Sequence, residues 1–504
     1  MSRPNETMKV WSRRELLVAG GSVLLLAACG SNIQSAGGSL IGSTDPAVER
    51  RDALRRQVGA TTVAATITAA PVTVGIGGRE VTTWAFGDRP SMGGIRAKVG
   101  DLIEATFVNK ISTANTLHWH GIALRNDMDG VHDVTQTAVD PGSSFTYRFT
   151  VPDAGTHWFH PHMGLELDRG LYAPLIVEDP NDPIAFDVDV TLMLDDWLDG
   201  FGRSPEQVLD ELQGGGSGGH DMSNMGGNDK PMGGSTSMMG GLTGEVTYPL
   251  HVINGRAPTE RETIDAKVGQ RVRVRLINAG SDTAYRVAVG GHRLTVTHAD
   301  GFPVKPIEVD NVVLGMGERY DVIITAGSGA FPIVAVPEGK SDPAAEAVLR
   351  TTGAATAPAV GSRPAELNGQ TLAYRDLSAT EAVRLPAKMP DRTELITLTA
   401  SSSRFVHGIN GKSFPDSAPV TVREGERLRL KVVNETMMFH PIHLHGHTFQ
   451  LVGDGNARKD TVNVLPMSSA EFDVEADNPG QWMLHCHNTY HLVTGMATVL
   501  SYRA

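Results

Sequence analysis

One short stretch late in the chain gathers side chains that bind soft and borderline metals: His485, Cys486 and His487 in succession, then His491 and Met496. A thiolate, two imidazoles and a weak thioether are the ligand set of a blue-copper electron-transfer centre, in which the sulfur and the long axial Met tune the redox potential. Successive side chains on a β-strand point to opposite faces. If His485 to His487 is extended, Cys486 faces one way and both histidines the other. One copper could then lie on the sulfur side and further copper on the imidazole side, joined through a few covalent bonds.

Three further pairs share the His-X-His spacing: His118 with His120, His160 with His162, and His443 with His445. Residues two apart on a strand share a face, so the four pairs present eight imidazoles. Three metals held by imidazole leave open positions for a small diatomic ligand, whereas a structural zinc site is closed by four ligands. His157 and His447 lie near the motifs but match no ligand position, and they read as residues that pack beside the ligands or support them from behind.

An internal repeat supplies the elements that must carry these pairs. Ile95 to Asn109, Ile264 to Asn278 and Val420 to Asn434 each place a turn Gly (Gly100, Gly269, Gly425) before alternating polar and apolar residues. That pattern is a turn into a half-buried strand. Units this far apart are domain-sized, so three small β-sandwich or Greek-key domains in tandem follow. A shift of 325 residues carries Asn109, His118, His120, His160 and His162 onto Asn434, His443, His445, His485 and His487. In the middle unit the first pair becomes Val287 and Val289, aligned through Asn278, and the second becomes Val334 and Val336, aligned through Gly329. The middle unit has lost every ligand and reads as a spacer. Only the last unit can hold the thiolate metal, because the first has Pro161 where the third has Cys486 and Asn115 where the third has His440.

Composition agrees with an all-β chain. With 504 residues and 40% hydrophobic side chains there is material for more than one core, and 56 Gly and 28 Pro favour short strands and turns over long helices. The formal net charge of -13 argues against nucleic-acid binding, which needs clustered Lys and Arg. Arg13 and Arg14 before an apolar stretch resemble a twin-arginine export signal, and Leu26-Ala27-Ala28-Cys29 resembles a lipoprotein cleavage and acylation site. Cys29 is then the lipidated first residue of the mature protein, anchored at the outer side of the cytoplasmic membrane or facing the periplasm, and no intrachain disulfide is possible. The expected organisation is a signal over 1–29, a linker over 30–59, and domains over 60–180, 186–355 and 365–504.

Together the motifs His118-Trp119-His120-Gly121, Trp158-Phe159-His160-Pro161-His162, His440 to Gly446 and His485-Cys486-His487 with His491 and Met496 resemble the copper motifs of the three-domain multicopper oxidases, bacterial laccase and cuprous oxidase types included. The similarity runs from about residue 60 to the end. It implies three cupredoxin-like domains in a monomer and four copper ions: one type 1, one type 2 and two type 3. Type 1 copper would take His440, Cys486 and His491, with Met496 axial. Type 2 copper would take His118 and His443. One type 3 copper would take His120, His160 and His487, and the other His162, His445 and His485. The implied chemistry is four one-electron oxidations at type 1, transfer through Cys486, and reduction of dioxygen to two waters. Asp129 stands where the family has an acid near type 2 copper, a candidate proton donor. Leu492 stands where many bacterial relatives carry Glu, which leaves the proton route on that side open.

The resemblance leaves the electron donor open among Cu(I), Fe(II) and phenols. Residues 213–241 hold five of the 18 methionines: Met222, Met225, Met232, Met238 and Met239. A segment so rich in Gly is not expected to build a core, so these thioethers read as exposed, and thioether suits Cu(I). Met438 lies two residues before His440, where copper-oxidising relatives carry a Met. The acid expected beside it is displaced, with Thr436 at that offset and Glu435 one residue away. The favoured reading is a cuprous oxidase that protects the cell envelope from copper. The alternatives are a laccase-like phenol oxidase or ferroxidase, and a copper store or chaperone.

Overall fold

Each repeated segment becomes two strands broken at its glycine: Ile95–Lys98 then Leu102–Asn109, Thr263–Asp265 then Arg271–Asn278, and Val420–Arg423 then Arg427–Asn434. Gly100, Gly269 and Gly425 take φ of 86°, 83° and 82°, a left-handed backbone that other residues adopt only at a cost. The two strands of each segment join different sheets, so this corner is where the chain passes between layers.

The structure is a computed structural model that describes residues 39–214, 237–351, 353, 356–401, 404–453 and 455–504. Among these, six sheets form three sandwiches of four and four, six and five, and six and five strands. The same parallel pairing recurs in each: Thr62–Ile76 beside Leu102–Asn109, Val188–Trp197 beside Arg271–Asn278, and Arg392–Ala400 beside Arg427–Asn434. The chain is all-β as expected. No helix among the described residues is long and apolar enough to cross a membrane. Cys29 and its flanking arginines lie outside the described residues.

A continuous buried cluster joins the first sandwich to the third, running from Ile67, Phe107 and Trp119 to Ile442, Trp482 and Cys486, while the middle sandwich has its own core around Val274, Val287 and Tyr320. Burying each such side chain stabilises the fold by about 1.5–3 kcal/mol, so docking of the outer sandwiches is driven by the same apolar burial as each core.

The structure corrects the sequence reading in several places. The stretch expected as a linker contains the helix Pro46–Arg55, capped by the Asp45 side chain, and the Asp52 carboxylate accepts from Thr150 N at 3.2 Å. Ser39 and Ile41 bond the backbone of Ala504 and Tyr502, so this segment is clamped on the third sandwich. Leu372 and Leu377, assigned by sequence to the third domain, pack into the middle core. The third sandwich opens with Arg392–Ala400. The alignment of the middle unit slips by one residue. Val287 pairs with Ala335 rather than Val334, because Ala330–Pro337 reaches the pairing position one residue later after its glycine than the strands after Gly155 and Gly480. The position still holds no ligand.

Candidate metal centre

Five of the eight histidines lie on paired strands, and His162, His445 and His487 follow just beyond the strand ends. His118–His120 pairs antiparallel with Gly155–His160, with His118 opposite His160, and His440–Leu444 pairs with Gln481–Cys486, with His443 opposite His485. Docking the two sandwiches interleaves the rings: His118 stacks on His445 with centroids 3.6 Å apart, and His120 on His443 at 3.7 Å. All eight are buried.

The ring nitrogens divide into outward and inward sets. Outward, Nδ1 of His118, His160, His443 and His485 donates to the carbonyls of Asp129, Pro161, Asp460 and Cys486 at 2.8–3.0 Å. His445 Nδ1 lies 3.0 Å from Asp129 Oδ2, and His120 Nε2 lies 3.2 Å from Asp460 Oδ1. Inward, Nε2 of His118, His160 and His443, Nδ1 of His120 and both nitrogens of His487 are buried without a partner. Each buried orphan costs about 1–3 kcal/mol, so six in one place call for a cation. Nε2 of His162 and His445 lie 3.4 and 3.0 Å from His485 Nε2. Burial holds the His120, His160, His162, His445, His485 and His487 rings well below the usual imidazole range. Their lone pairs are therefore free for metal.

On the other face of the same strand, Cys486 Sγ lies 3.6 Å from His440 Nδ1 and 3.5 Å from His491 Nδ1, and those nitrogens are 3.1 Å apart. His491 sits in the short helix Thr489–Val493, whose cap is the Asn488 side chain. The chain then returns: Met496 N donates to His491 O and Cys486 N to Met496 O, which places Met496, fully buried, against both. Burial pushes the Cys486 thiol up, so the sulfur gives up its proton only to a cation that takes thiolate. The opposed orientation of Cys486 and its neighbours, expected from strand periodicity, is what the structure has, although the strand ends at Cys486 and His487 lies in the following bend. Imidazole and thiolate donors in these arrangements fit copper.

Models of the multicopper oxidase family match residues 68–182, 189–354 and 384–504. Multicopper oxidase MmcO from Mycobacterium tuberculosis is 44% identical over 496 residues, covering 98% of this chain and 97% of that protein. The chain is a multicopper oxidase. Copper resistance protein A from Escherichia coli is 28% identical, with 80% of this oxidase and 86% of that protein covered. The solved laccase of Botrytis aclada superposes with a TM-score of 0.73 over 88% of each chain, and at 23% identity it bears on fold alone. The oxidase is thus a copper-dependent oxidoreductase with dioxygen as acceptor.

Four groups around these clusters were given no role by the sequence reading. Glu245, from the middle sandwich, places Oε2 3.1 Å from His491 Nε2. Thr436 Oγ1 lies 2.7 Å from His440 Nε2, and the ring of His407 is 4.1 Å from that of His491. Asp460 faces both His120 and His443. None carries a sequence signal: even Asp460 sits in a polar run, Asn456-Ala457-Arg458-Lys459-Asp460-Thr461, that reads as surface although the side chain is fully buried. Glu435, expected near the substrate metal, is exposed, and Thr436 takes the place facing His440.

The methionines separate. Met222, Met225 and Met232 lie outside the described residues. Met238 is 39% exposed, but Met239 is buried with Met316, Met438, Phe439 and Val313, against the expectation that the Gly-rich segment holds no packed thioether. The reason is local: Leu242 forms a parallel bridge with Met438 and its N–H donates to Met437 O at 2.9 Å, which draws the end of the segment into the interface.

Proposed function

We propose that the oxidase takes electrons from Cu(I) and serves copper tolerance in the cell envelope. In this reading His440, Cys486, His491 and Met496 hold type 1 copper, and His118 and His443 hold type 2. His120, His160 and His487 hold one type 3 copper, and His162, His445 and His485 the other. Bound copper supplies one-electron redox chemistry and the place where dioxygen is reduced by four electrons and four protons to two waters. The chain does the rest. Cys486 links the two faces through its own backbone to His485 and His487. Asp129, whose carboxyl is pushed up by burial, is assigned to hold a proton beside His118 and His445. Leu492 is half-buried near Val131 and Met483 and brings no acid to the other side.

The observation that carries the choice of donor is the cluster of three buried thioethers, Met239, Met316 and Met438, of which Met438 stands two residues before His440. Soft sulfur favours Cu(I) over Fe(II), which prefers harder oxygen donors. The likeness to copper resistance protein A supports the role in copper tolerance. The test compares kcat/KM for Cu(I), Fe(II) and a phenol in wild type, Met239→Leu, Met438→Leu and a deletion of 213–236. The leucine variants are expected to lose about tenfold or more for Cu(I) alone. Equal Cu(I) activity in all of them would remove the thioethers from the donor site, and no oxygen consumption with any donor would favour storage.

Glu245 supports a second contribution at the same place. At 23% side-chain exposure it is a partly buried group bonded to His491. Its carboxylate can receive the proton of a phenol or attract a cation. Glu245→Gln is expected to raise KM for a cationic donor while the blue colour persists; an unchanged KM for every donor would exclude Glu245 from donor binding.

A further inference from the structure

Among the described residues the middle sandwich contributes none of the eight clustered histidines, yet it reaches that cluster through the Arg319 side chain. Arg319 is fully buried and touches all three sandwiches. Its Nε donates to Thr156 O of the first at 3.0 Å, its Nη1 to Gly317 O of its own at 3.1 Å, and both Nη atoms to the Asp460 carboxylate of the third at 2.6 Å. Asp460 in turn holds two rings. Its Oδ1 lies 3.2 Å from His120 Nε2 and its carbonyl 2.9 Å from His443 Nδ1, the pair that stacks at 3.7 Å and 11°.

We infer that Arg319 is a positioning residue of the dioxygen-reducing site, setting His120 and His443 through Asp460. The inference rests on the copper assignment proposed above. A fully buried Arg–Asp pair gains little net stability, since desolvation offsets the Coulomb attraction, so holding the sandwiches together is a weak reason for it. The geometry supplies a stronger one. One guanidinium fork fixes both oxygens of a carboxylate, and a fork fixes orientation where a point charge does not. Asp300 doubles the tie: its Oδ1 accepts from Arg319 N at 2.9 Å, and its Oδ2 from the N–H groups of Asp460 and Thr461 at 3.2 Å each. Thr461 Oγ1 lies 3.3 Å from His120 Nε2 and 3.2 Å from His443 Nδ1, so the same peptide carries a second contact to both rings. The loop before Arg319 is seated on the cluster as well. A Cβ at Gly317 would lie 2.8 Å from His487 Cδ2 and 2.9 Å from His120 Cε1. Ligands drawn from the first and third sandwiches are thereby registered against each other by the second.

The experiment compares copper-loaded full-length wild type, Arg319→Lys and Asp460→Asn. It reads copper per chain, the type 2 electron paramagnetic resonance signal, the blue absorption, Tm, and the rate of reoxidation by dioxygen after full reduction. Both variants are expected to keep the blue absorption and its reduction by donor. Their type 2 signal is expected to shift or vanish, and reoxidation to slow about ten- to a hundred-fold. A type 2 signal and reoxidation rate equal to wild type in both variants would overturn the inference. So would parallel loss of blue colour, trinuclear copper and Tm in both, which would make Arg319 a docking pin only. If Arg319→Lys alone fails to fold, Asp460→Asn decides on the same readings. Wild type lacking the blue and type 2 signals would instead overturn the copper assignment, so the two failures are distinguishable.

Discussion

Cys486→Ser is expected to bleach the oxidase and bring turnover to background with every donor, while the imidazole cluster on the other face of the strand keeps its metal. The argument is one of softness and of route. A serine hydroxyl is a hard donor that stays protonated beside His440 and His491, so the site loses the thiolate on which blue absorption and one-electron exchange depend. The covalent link from this site to His485 and His487 loses its sulfur at the same time. The fold should tolerate the change. Cys486 is fully buried, and serine nearly matches its size and finds the nitrogens of His440 and His491 within reach, so the metal-free protein should lose under about 3 kcal/mol. Absorption spectroscopy, copper content and denaturant unfolding check the three statements. A serine variant that stayed blue would overturn the assignment of Cys486, and one that lost copper from the imidazole cluster as well would show the two faces to be interdependent.

Gly130→Ala should do the reverse, leaving Cys486 and its partners intact while damaging the cluster. Gly130 has φ of 80°, and a Cβ there would lie 1.8 Å from Leu117 O and 2.9 Å from His118 N. No rotamer relieves a clash between backbone atoms. The neighbouring Asp129 would have to move, and its carbonyl and carboxylate hold His118 and His445. We expect a loss of about 3 kcal/mol or more from the combined strain and overlap, together with loss of copper from the imidazole cluster and retention of the blue band. The denaturation midpoint and the copper-to-protein ratio check this. An alanine variant with normal copper and normal stability would mean that the Asp129–Gly130 turn is not what fixes His118.

The residues of the clusters were legible because two periodicities coincide on them. Strand alternation puts His118 with His120 on one face, and the internal repeat supplies the same spacing again at His443 and His445, although the strand there ends at Leu444. The turn glycines were legible because φ near 80° is nearly a glycine property. What lay hidden came from elsewhere in the chain and carried no period. Glu245 reaches His491 from the middle sandwich, and Arg319 reaches Asp460 likewise; a single charged residue in a strand or loop looks like any other until the domains are docked. Counting valines where histidines should stand made the middle unit look passive, since ligand loss says nothing about what the remaining side chains hold. Composition misjudged Met239 for a related reason. Glycine density describes a segment's average, whereas its last residues are pinned by Leu242 against Met438. Ala335 was missed by one position because an added residue in a strand leaves its pattern almost unchanged.

The pairing of His440–Leu444 with Gln481–Cys486 also dictates an order of events in the making of the protein. Domains fold in sequence as the chain is synthesised. The first sandwich therefore stands complete with His118, His120, His160 and His162 while the thiolate and its flanking imidazoles are still to be made. A chain that stops before the third sandwich presents half the imidazoles and lacks the Cys486 thiolate. It has no means of passing electrons to dioxygen, and a partly reduced, damaging oxygen species cannot arise by that path. Copper insertion is in this sense a proof of completeness: only a chain translated past Met496 and docked across all three sandwiches is able to become active.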